Sequence, residues 1–489
     1  MDRRDFLRKA GIFSGGVMLS SSAPAFLKGR SKMEKPNIVF VTVDQMRGDA
    51  LSCLGSPNAR TPNLDNMARE GVIFENGYCN NPVCLPSRIS MFTGLYPHQH
   101  GSPTNKGPHW KTVDGTLIKL FKDNGYRLGY VGKNHMMQVD KATYDKYFDY
   151  YKFIDREDFR RYSKYVTPFW HCDTHEPSEK CFTTTHTNEG IDFINTTDDP
   201  FFLFVSYQDP HPPYMAPSEY SSKFSSEDMV IPDYVPASKL SRRLHDYYKA
   251  MKFDEIKDSD ITETMRYYYA AISYIDDNVG RIINSLERKG ILDNTIVIFT
   301  SDHGDFMGEH RMVRKGIFLY DALLHVPMIW YCPGLIRNRF RVRNIAQSVD
   351  FMPTIRDFLN AETQSSLPGR SLKPILQGQT GVDKEQFAFA SSLYHELQDN
   401  ITGKGEMPER VKNMPLHSRV MRMPKVLDGN KRTASIRNLD WRYIRTTGKP
   451  DELYKMDRSW TEKENLAQKP EYNGLVSSFE KKVFEIWPE

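Results

Sequence analysis

Residues 37–44 read Asn-Ile-Val-Phe-Val-Thr-Val-Asp. A nearly continuous apolar run of this length fits a strand covered on both faces, as in a parallel sheet. Similar runs stand at 127–132, at 201–207 (Phe-Phe-Leu-Phe-Val-Ser-Tyr) and at 295–301 (Thr-Ile-Val-Ile-Phe-Thr-Ser). Helical patterns lie between them. Residues 62–70 open with Pro62. Residues 114–124 carry Leu117, Leu120 and Phe121. Residues 264–289 repeat Ile272, Ile275, Val279, Ile282, Ile283 and Leu286 and stop at Gly290. Strand and helix in alternation predict an α/β fold with a mostly parallel sheet.

Each apolar run is followed at once by chemistry-bearing residues. These are Asp44 and Gln45, Lys133 and His135, Asp209 and His211, and Asp302 and His303. A single Asp after a strand is usually a turn or cap residue. Four such ends in one sheet point to a shared site on the rim beyond the carboxyl ends of the strands.

The rest of the chain is read outward from that sheet. Residues 140–185 are rich in Tyr, Asp, Lys and Arg and read as a surface insertion; 209–262 are polar and loop-rich. The stretch 362–385, with Pro368-Gly369 and Pro374, reads as a hinge. Strand-like pieces at 386–394 and 441–446 and a helix near 474–486 follow it. The expected division is a catalytic domain over 34–380 and a smaller C-terminal subdomain over 381–489.

Composition bounds the function. The chain has 489 residues, with 66 Lys+Arg against 62 Asp+Glu, a net charge of +4. That argues against a nucleic-acid or other polyanion binder held by bulk charge. Apolar residues at 39% and aromatics at 12% describe an ordinary globular protein. Six cysteines are too few for a disulfide scaffold.

Residues 1–25 read as an export signal. Arg3-Arg4 precedes Phe6-Leu7, a mildly apolar stretch runs from Ala10 to Leu19, and Ala23-Pro24-Ala25 offers a cleavage site. Paired arginines resemble a twin-arginine signal; a Sec signal with two arginines is the alternative. No later run reaches membrane-spanning length, so a periplasmic or secreted bacterial protein is expected.

Residues 84–94 read Cys-Leu-Pro-Ser-Arg-Ile-Ser-Met-Phe-Thr-Gly. Pro86 suits the first position of a helix, which would put Cys84 at a helix N-terminus, where N–H groups attract anions. Cys-x-Pro-Ser-Arg followed by Thr-Gly resembles the signature of the formylglycine-dependent sulfatases, members of the alkaline phosphatase superfamily. The likeness runs from about Asn37 to Asn465-Leu466-Ala467. It implies an alkaline-phosphatase-like α/β sandwich, with a large mostly parallel sheet flanked by helices and a smaller C-terminal α+β subdomain with an antiparallel sheet.

The resemblance also assigns roles. Cys84 would be oxidised to formylglycine by a maturating enzyme, and Arg88 would hold the aldehyde hydrate. The hydrate offers two hydroxyls on one carbon: one attacks sulfur, the other lets the aldehyde re-form and expel sulfate. That cycle needs acids, bases and cations around sulfate. Asp44, Gln45, Asp302, His303 and residue 84 itself would ligate a divalent cation, Ca2+ first, with Mn2+ or Mg2+ behind. Where the most familiar form of the family has two adjacent Asp residues, this chain has Asp44-Gln45. Asp305 is left outside the metal ligands. Gly132-Lys133-Asn134-His135 resembles the Gly-Lys-x-His element, with Lys133 on sulfate or the leaving oxygen and His135 as the base that collapses the hemiacetal. His211 in Asp209-Pro210-His211-Pro212-Pro213 would protonate the leaving alcohol. Lys315, twelve residues past His303, would bind sulfate.

Other residues carry weaker readings. His98 and His100 read as structural. His171, Cys172, His175 and Cys181 match no strong zinc spacing, and a Cys172–Cys181 disulfide is the expectation there. Cys53, Cys79 and Cys332 read as packing residues. His395, Arg410, Lys412, His417, Arg419 and Arg422 are candidates to line a pocket for an anionic sugar. A sulfated carbohydrate is the expected substrate. A phosphonate monoester hydrolase or phosphodiesterase of the same superfamily is the rival reading, since the Asp-Gln and Asp-His pairs resemble those enzymes too. A sulfated-glycan binding protein with a dead site is a third.

Overall fold

The four apolar runs become four neighbouring strands. The computed structural model describes residues 35–488 apart from 106–109, 138, 155–170, 175, 338–339, 363–365, 384–385 and 395–430. Its strands are β1 Asn37–Val43, β2 Val72–Tyr78, β3 Arg127–Gly132, β4 Tyr150–Phe153, β5 His171–Asp173, β6 Phe201–Ser206, β7 Tyr214–Ala216, β8 Thr295–Ser301, β9 Met328–Tyr331, β10 Phe340–Gln347, β11 Ala388–Tyr394, β12 Lys431–Arg437, β13 Trp441–Thr446 and β14 Glu452–Lys455. Eight of them form one sheet in the order β10-β2-β9-β8-β1-β6-β3-β4. Every neighbouring pair is parallel except those made by β9, which runs antiparallel to β2 and β8. Among the described residues from Lys35 onward the chain is one compact unit.

Burial explains the composition of the central strands. All seven residues of β1, all seven of β8 and all six of β6 are out of solvent. Side chains alternate across the sheet, so β1 feeds two cores. Val39, Val41 and Val43 join Ile261, Met265, Ile272, Ile275 and Val279 of the helix Asp258–Arg288. Ile38 and Phe40 face the other way, toward Leu85, Ile89 and Phe92 of the helix Cys84–Thr93. The Phe40 ring lies 5.0 Å from Phe351 and 5.5 Å from Phe204, both edge-on. Truncating such a residue to Ala costs about 3–5 kcal/mol.

Some boundaries differ from the sequence reading. The long helix begins at Asp258, six residues before its apolar period becomes regular. The motif helix begins at Cys84 itself, with Val83 extended before it, so Pro86 is its third residue and not its first. Proline is tolerated there because first-turn N–H groups have no partner within the helix. The 140–185 stretch is not wholly an insertion: β4 forms the sheet's edge beside β3, and a helix covers Lys141–Tyr147. The Pro-rich segment read as a hinge is tied down, with the Arg370 amide on Asp350 Oδ1 at 2.9 Å and Ser371 Oγ on Asp357 Oδ2 at 2.6 Å.

The smaller sheet is antiparallel, in the order β11-β12-β13-β14, and packs Phe389, Ile436, Tyr443 and Leu453 against Phe479 and Val483 of the helix Asn473–Ile486. Buried charge ties it to the larger half. Arg442 pairs with both Asp321 and Glu462, and Arg437 reaches Asp321 at 3.3 Å. Tyr320 donates to Glu452 Oε2 at 2.6 Å.

Candidate active site

Parallel strands β8, β1, β6 and β3 end on one rim, and Asp302, Asp44 and Lys133 follow the last residues of β8, β1 and β3. Register fixes the carboxylates, since Val43 lies opposite Ser301. Gly132 supplies the turn to Lys133. Its φ is 100°, and a Cβ there would collide with the Ser206 carbonyl. The Lys133 amide instead donates to that carbonyl at 2.7 Å.

The helix Cys84–Thr93 brings the remaining parts, and all ten of its residues are buried. Cys84 Sγ lies 3.5 Å from Asp44 Oδ1, 3.2 Å from His303 Nε2 and 2.8 Å from Lys315 Nζ. Lys315 Nζ is also 3.0 Å from His303 Nε2. One turn along, Arg88 donates from Nε to Asp302 Oδ2 at 2.7 Å, from Nη2 to Asp44 Oδ2 at 3.2 Å and from Nη1 to Ser206 Oγ at 2.7 Å. Lys133 Nζ caps the same Asp44 oxygen. His135 hydrogen-bonds the Cys84 side chain.

Charges this close set one another's protonation. Burial works to raise the Asp44 carboxyl, but Lys133, His211, Lys315 and Arg88 outweigh it and hold it well below the usual carboxylate range. Asp302 goes the other way, lifted by burial and by the charge on Asp44 against the pull of Arg88. The Cys84 thiol is brought far down: burial and Asp44 oppose ionisation, and Lys133, Lys315 and His303 prevail. Burial would lower Lys315, yet Cys84, Asp44 and Asp302 keep it raised. His211 sits well below its ordinary value through burial, with Lys315 and Lys133 adding to it against Asp44.

Asp44 and Asp302 are oxygen donors of the kind a hard divalent cation takes, while the His303 imidazole and the Cys84 sulfur are softer donors. Asp44, Cys84, Asp302 and His303 bring one ligand atom each to within 4.8 Å of the others, all buried. His303 Nδ1 is 2.8 Å from the Gly304 carbonyl; with a proton held there, loss of the Nε2 proton would leave that nitrogen as a lone-pair donor facing the cluster. Gln45 adds a sharper observation. Its Oε1 is buried and has no hydrogen-bond partner. Its Nε2 donates to Asp305 Oδ2 at 2.5 Å, and its amide N–H donates to Asp302 Oδ1 at 3.1 Å. A buried amide oxygen without a hydrogen-bond partner fits the chemistry of a cation ligand.

Asp305 therefore acts on Gln45. Tyr214 O–H donates to its Oδ2 at 2.7 Å and the Met307 amide to its Oδ1 at 2.8 Å. Tyr268 O–H donates to the Gln45 carbonyl at 3.0 Å, where Gln45 holds a left-handed φ of 73°. Ser206, Tyr214 and Tyr268 were not foreseen. Ser206 ends β6 and was findable by the strand-end rule, whereas Tyr268 lies mid-helix and gives no local signal.

His211 faces the cluster with Nδ1 2.6 Å from the Pro212 carbonyl, leaving Nε2 as the outward nitrogen. Asp209 does not join: it accepts from Thr183 Oγ1 at 2.7 Å, and burial lifts it to about 6. His98 stacks on Trp487, and His100 Nε2 is 3.1 Å from Ser90 Oγ, so both are structural. Cys181 is a free thiol, which removes the expected Cys172–Cys181 bridge; its sulfur lies 3.5 Å from Thr174 Oγ1. Cys79 and Cys332 are buried and Cys53 packs on the core, as expected of packing residues. His175, His395, Arg410, Lys412, His417, Arg419 and Arg422 lie outside the described residues, as do 1–25.

Comparison with known proteins gives a consistent result. The family model described as Sulfatase matches residues 36–361. An arylsulfatase of Clostridium perfringens is 31% identical over 386 residues, covering 70% of this chain and 79% of that protein. An N-acetylglucosamine-6-O-sulfatase of Bacteroides thetaiotaomicron is 29% identical over 427 residues, 74% of each. The crystal structure of a phosphonate monoester hydrolase of Agrobacterium radiobacter superposes with a TM-score of 0.73 at 23% identity, over 92% of this chain and 95% of that one, a likeness of fold.

Proposed function

This chain belongs to the sulfatase family and is a sulfuric ester hydrolase; from that premise we propose that it removes sulfate from a sulfated saccharide, using formylglycine made from Cys84 beside a divalent cation. The observation that carries the reading is the meeting of Cys84, Lys315, His303 and Asp44 within 3.5 Å of the Cys84 sulfur.

That sulfur stands where the oxygens of the hydrated aldehyde would stand. Formylglycine, when present, supplies a geminal diol that attacks sulfur through one hydroxyl and re-forms the aldehyde through the other. A cation held by Asp44, Asp302, His303 and the orphaned Gln45 Oε1 supplies fixed positive charge beside the sulfate. Calcium is favoured by family resemblance, and the imidazole donor makes manganese the second choice.

The chain's own residues do the rest. Lys315 and Lys133 bind the sulfate oxygens, and Arg88 balances the two carboxylates while its helix fixes residue 84. His135, next to Cys84, takes a proton from the site. His211 gives one to the departing alcohol through Nε2. Its proton affinity is lowered by burial and by Lys315 and Lys133 facing it. A sulfate monoanion placed between them offsets those cations and restores its capacity as an acid.

The saccharide reading rests on the kind of relative found, an N-acetylglucosamine-6-O-sulfatase among them. Residues 1–25 support an exported enzyme, matured by a formylglycine-generating or sulfatase-maturating partner. Among the described residues no helix is long and apolar enough to cross a membrane. A phosphonate monoester hydrolase is the rival reading because the Asp44-Gln45 and Asp302-His303 pairs resemble those of such enzymes and the fold is shared with one.

The first test is the mass of the Cys84 peptide in protein from its native host. Formylglycine supports the mechanism, and unmodified cysteine in active enzyme overturns it. The second is turnover of an aryl sulfate against phenyl phosphonate. Equal or faster phosphonate cleavage would move the protein to the rival reading.

A further inference from the structure

Three buried polar atoms lie together with no hydrogen-bond partner: Glu309 Oε1, His310 Nε2 and Glu462 Oε2. The three residues, exposed by 0%, 2% and 3%, each bring one ligand atom to within 4.8 Å of the others. Neither the sulfate chemistry nor the first cation cluster uses them.

Each carboxylate is anchored through its other oxygen. Glu309 Oε2 accepts from Arg47 Nη2 at 2.9 Å. Glu462 Oε1 accepts from the Asp321 amide at 2.8 Å and lies 3.0 Å from Arg442 Nε. The anchoring leaves Oε1 of Glu309 and Oε2 of Glu462 without a partner, and His310 Nε2 is 3.8 Å from Glu309 Oε1. Left alone, each orphaned group would carry an uncompensated desolvation cost.

The surrounding charge does not balance. Four carboxylates, Asp49, Glu309, Asp321 and Glu462, face three guanidiniums, Arg47, Arg437 and Arg442. With all four ionised and His310 neutral one negative charge remains, and burial holds both Glu309 and Glu462 above the usual carboxylate range. A water molecule would satisfy the hydrogen bonds and leave that charge; a cation, or a proton shared between the two glutamates, removes it. A pocket of about 520 Å³ is lined by Arg311, Thr461 and Lys463, chain neighbours of His310 and Glu462.

We infer that Glu309, His310 and Glu462 form a second metal site, for a divalent cation of the zinc type, with two carboxylate oxygens, one imidazole nitrogen and an open position for water. Mixed oxygen and nitrogen donors with three protein ligands fit zinc better than calcium. The Val235 amide donates to Nδ1 at 3.4 Å, which puts the ring proton of the neutral imidazole on Nε2, so ligation through Nε2 requires that proton to leave or to move to Nδ1 as the ion binds. The ion would clasp the segment after β14 to the loop after β8.

The test counts zinc. Protein stripped on a chelating resin is dialysed against micromolar Zn2+ with millimolar Ca2+, and bound zinc per chain is measured by plasma mass spectrometry. The wild type and Asp302→Asn are each expected to hold one zinc at the triplet. Glu462→Gln and His310→Phe, checked for native circular dichroism, are expected to lose it. Zinc absorption spectroscopy on the unmutated protein covers the case in which neither variant folds: a shell of nitrogen and oxygen with one imidazole is expected. No bound zinc, equal zinc in the variants, or a sulfur ligand from the Cys84 cluster each overturns the site and leaves water or a shared proton in its place.

Discussion

Arg88 Nε meets Asp302 Oδ2 at 2.7 Å, between two side chains that see almost no solvent (1% and 0%). The same guanidinium spans to Asp44 at 3.2 Å. It is the cation that lets two carboxylates share the rim of the sheet. Removing one partner of a buried pair strands the other, at about 3–5 kcal/mol. Arg88→Ala in chelator should lose about that much in urea unfolding, and added Ca2+ should restore part of it. A loss under about 1 kcal/mol would show that the cluster does not depend on this contact.

Gln45 and Asp305 give a second expectation. Asp305 accepts from Gln45 Nε2 and so fixes which end of the amide is bound, leaving Oε1 as the end without a partner. Asp305→Asn removes the charge that fixes this orientation. Cation affinity should fall roughly tenfold to a hundredfold, the usual effect of losing a group that orients a ligand. Chelator competition measures it. Unchanged affinity would take Gln45 out of the ligand set.

How far the sequence spoke is plain from these residues. Asp44, Lys133 and Asp302 were legible because each ends a continuous apolar run, and such runs mark buried parallel strands. The Gln45–Asp305 bond was not, since it joins residues 260 apart and exists only through the register of β1 on β8. β2 and β10 were also missed. Their runs, Val-Ile-Phe-Glu-Asn-Gly-Tyr and Phe-Arg-Val-Arg-Asn-Ile-Ala-Gln, carry polar residues because they lie toward one edge of the sheet. β12 and β14 hide likewise: an antiparallel strand with charged ends has no apolar run to see.

His211 should show itself through the leaving group. An activated aryl sulfate departs without protonation, whereas a sugar alcohol needs a proton on its oxygen. His211→Ala should therefore reduce kcat on a sulfated sugar by about 10²–10⁴-fold and on nitrophenyl sulfate far less. Equal losses on both substrates would remove His211 from the acid role.

His186 provides a test of stability against pH. Burial, with Lys152 adding, lowers its imidazole from 6.5 to about 4. The unfolded chain thus takes up the proton first. The contribution of this residue is full above about pH 6.5 and is lost as pH falls toward 4. At pH 5 the penalty is about 2 kcal/mol. His186→Leu should lose less stability than the wild type between pH 7 and pH 5, read as the shift in urea midpoint. Parallel losses in the two proteins would mean that His186 titrates normally.

Asp321 stands in the larger half of the molecule, while Arg437 and Arg442, which neutralise it, stand in the C-terminal sheet. Neither half is electrically complete alone. The C-terminal sheet is thus a poor unit for exchange between relatives. A chimera carrying another protein's last hundred residues would bury unmatched charge unless both sides of the seam travelled together. Substrate preference in this lineage could then change freely in surface loops, but the seam itself had to be inherited as a pair.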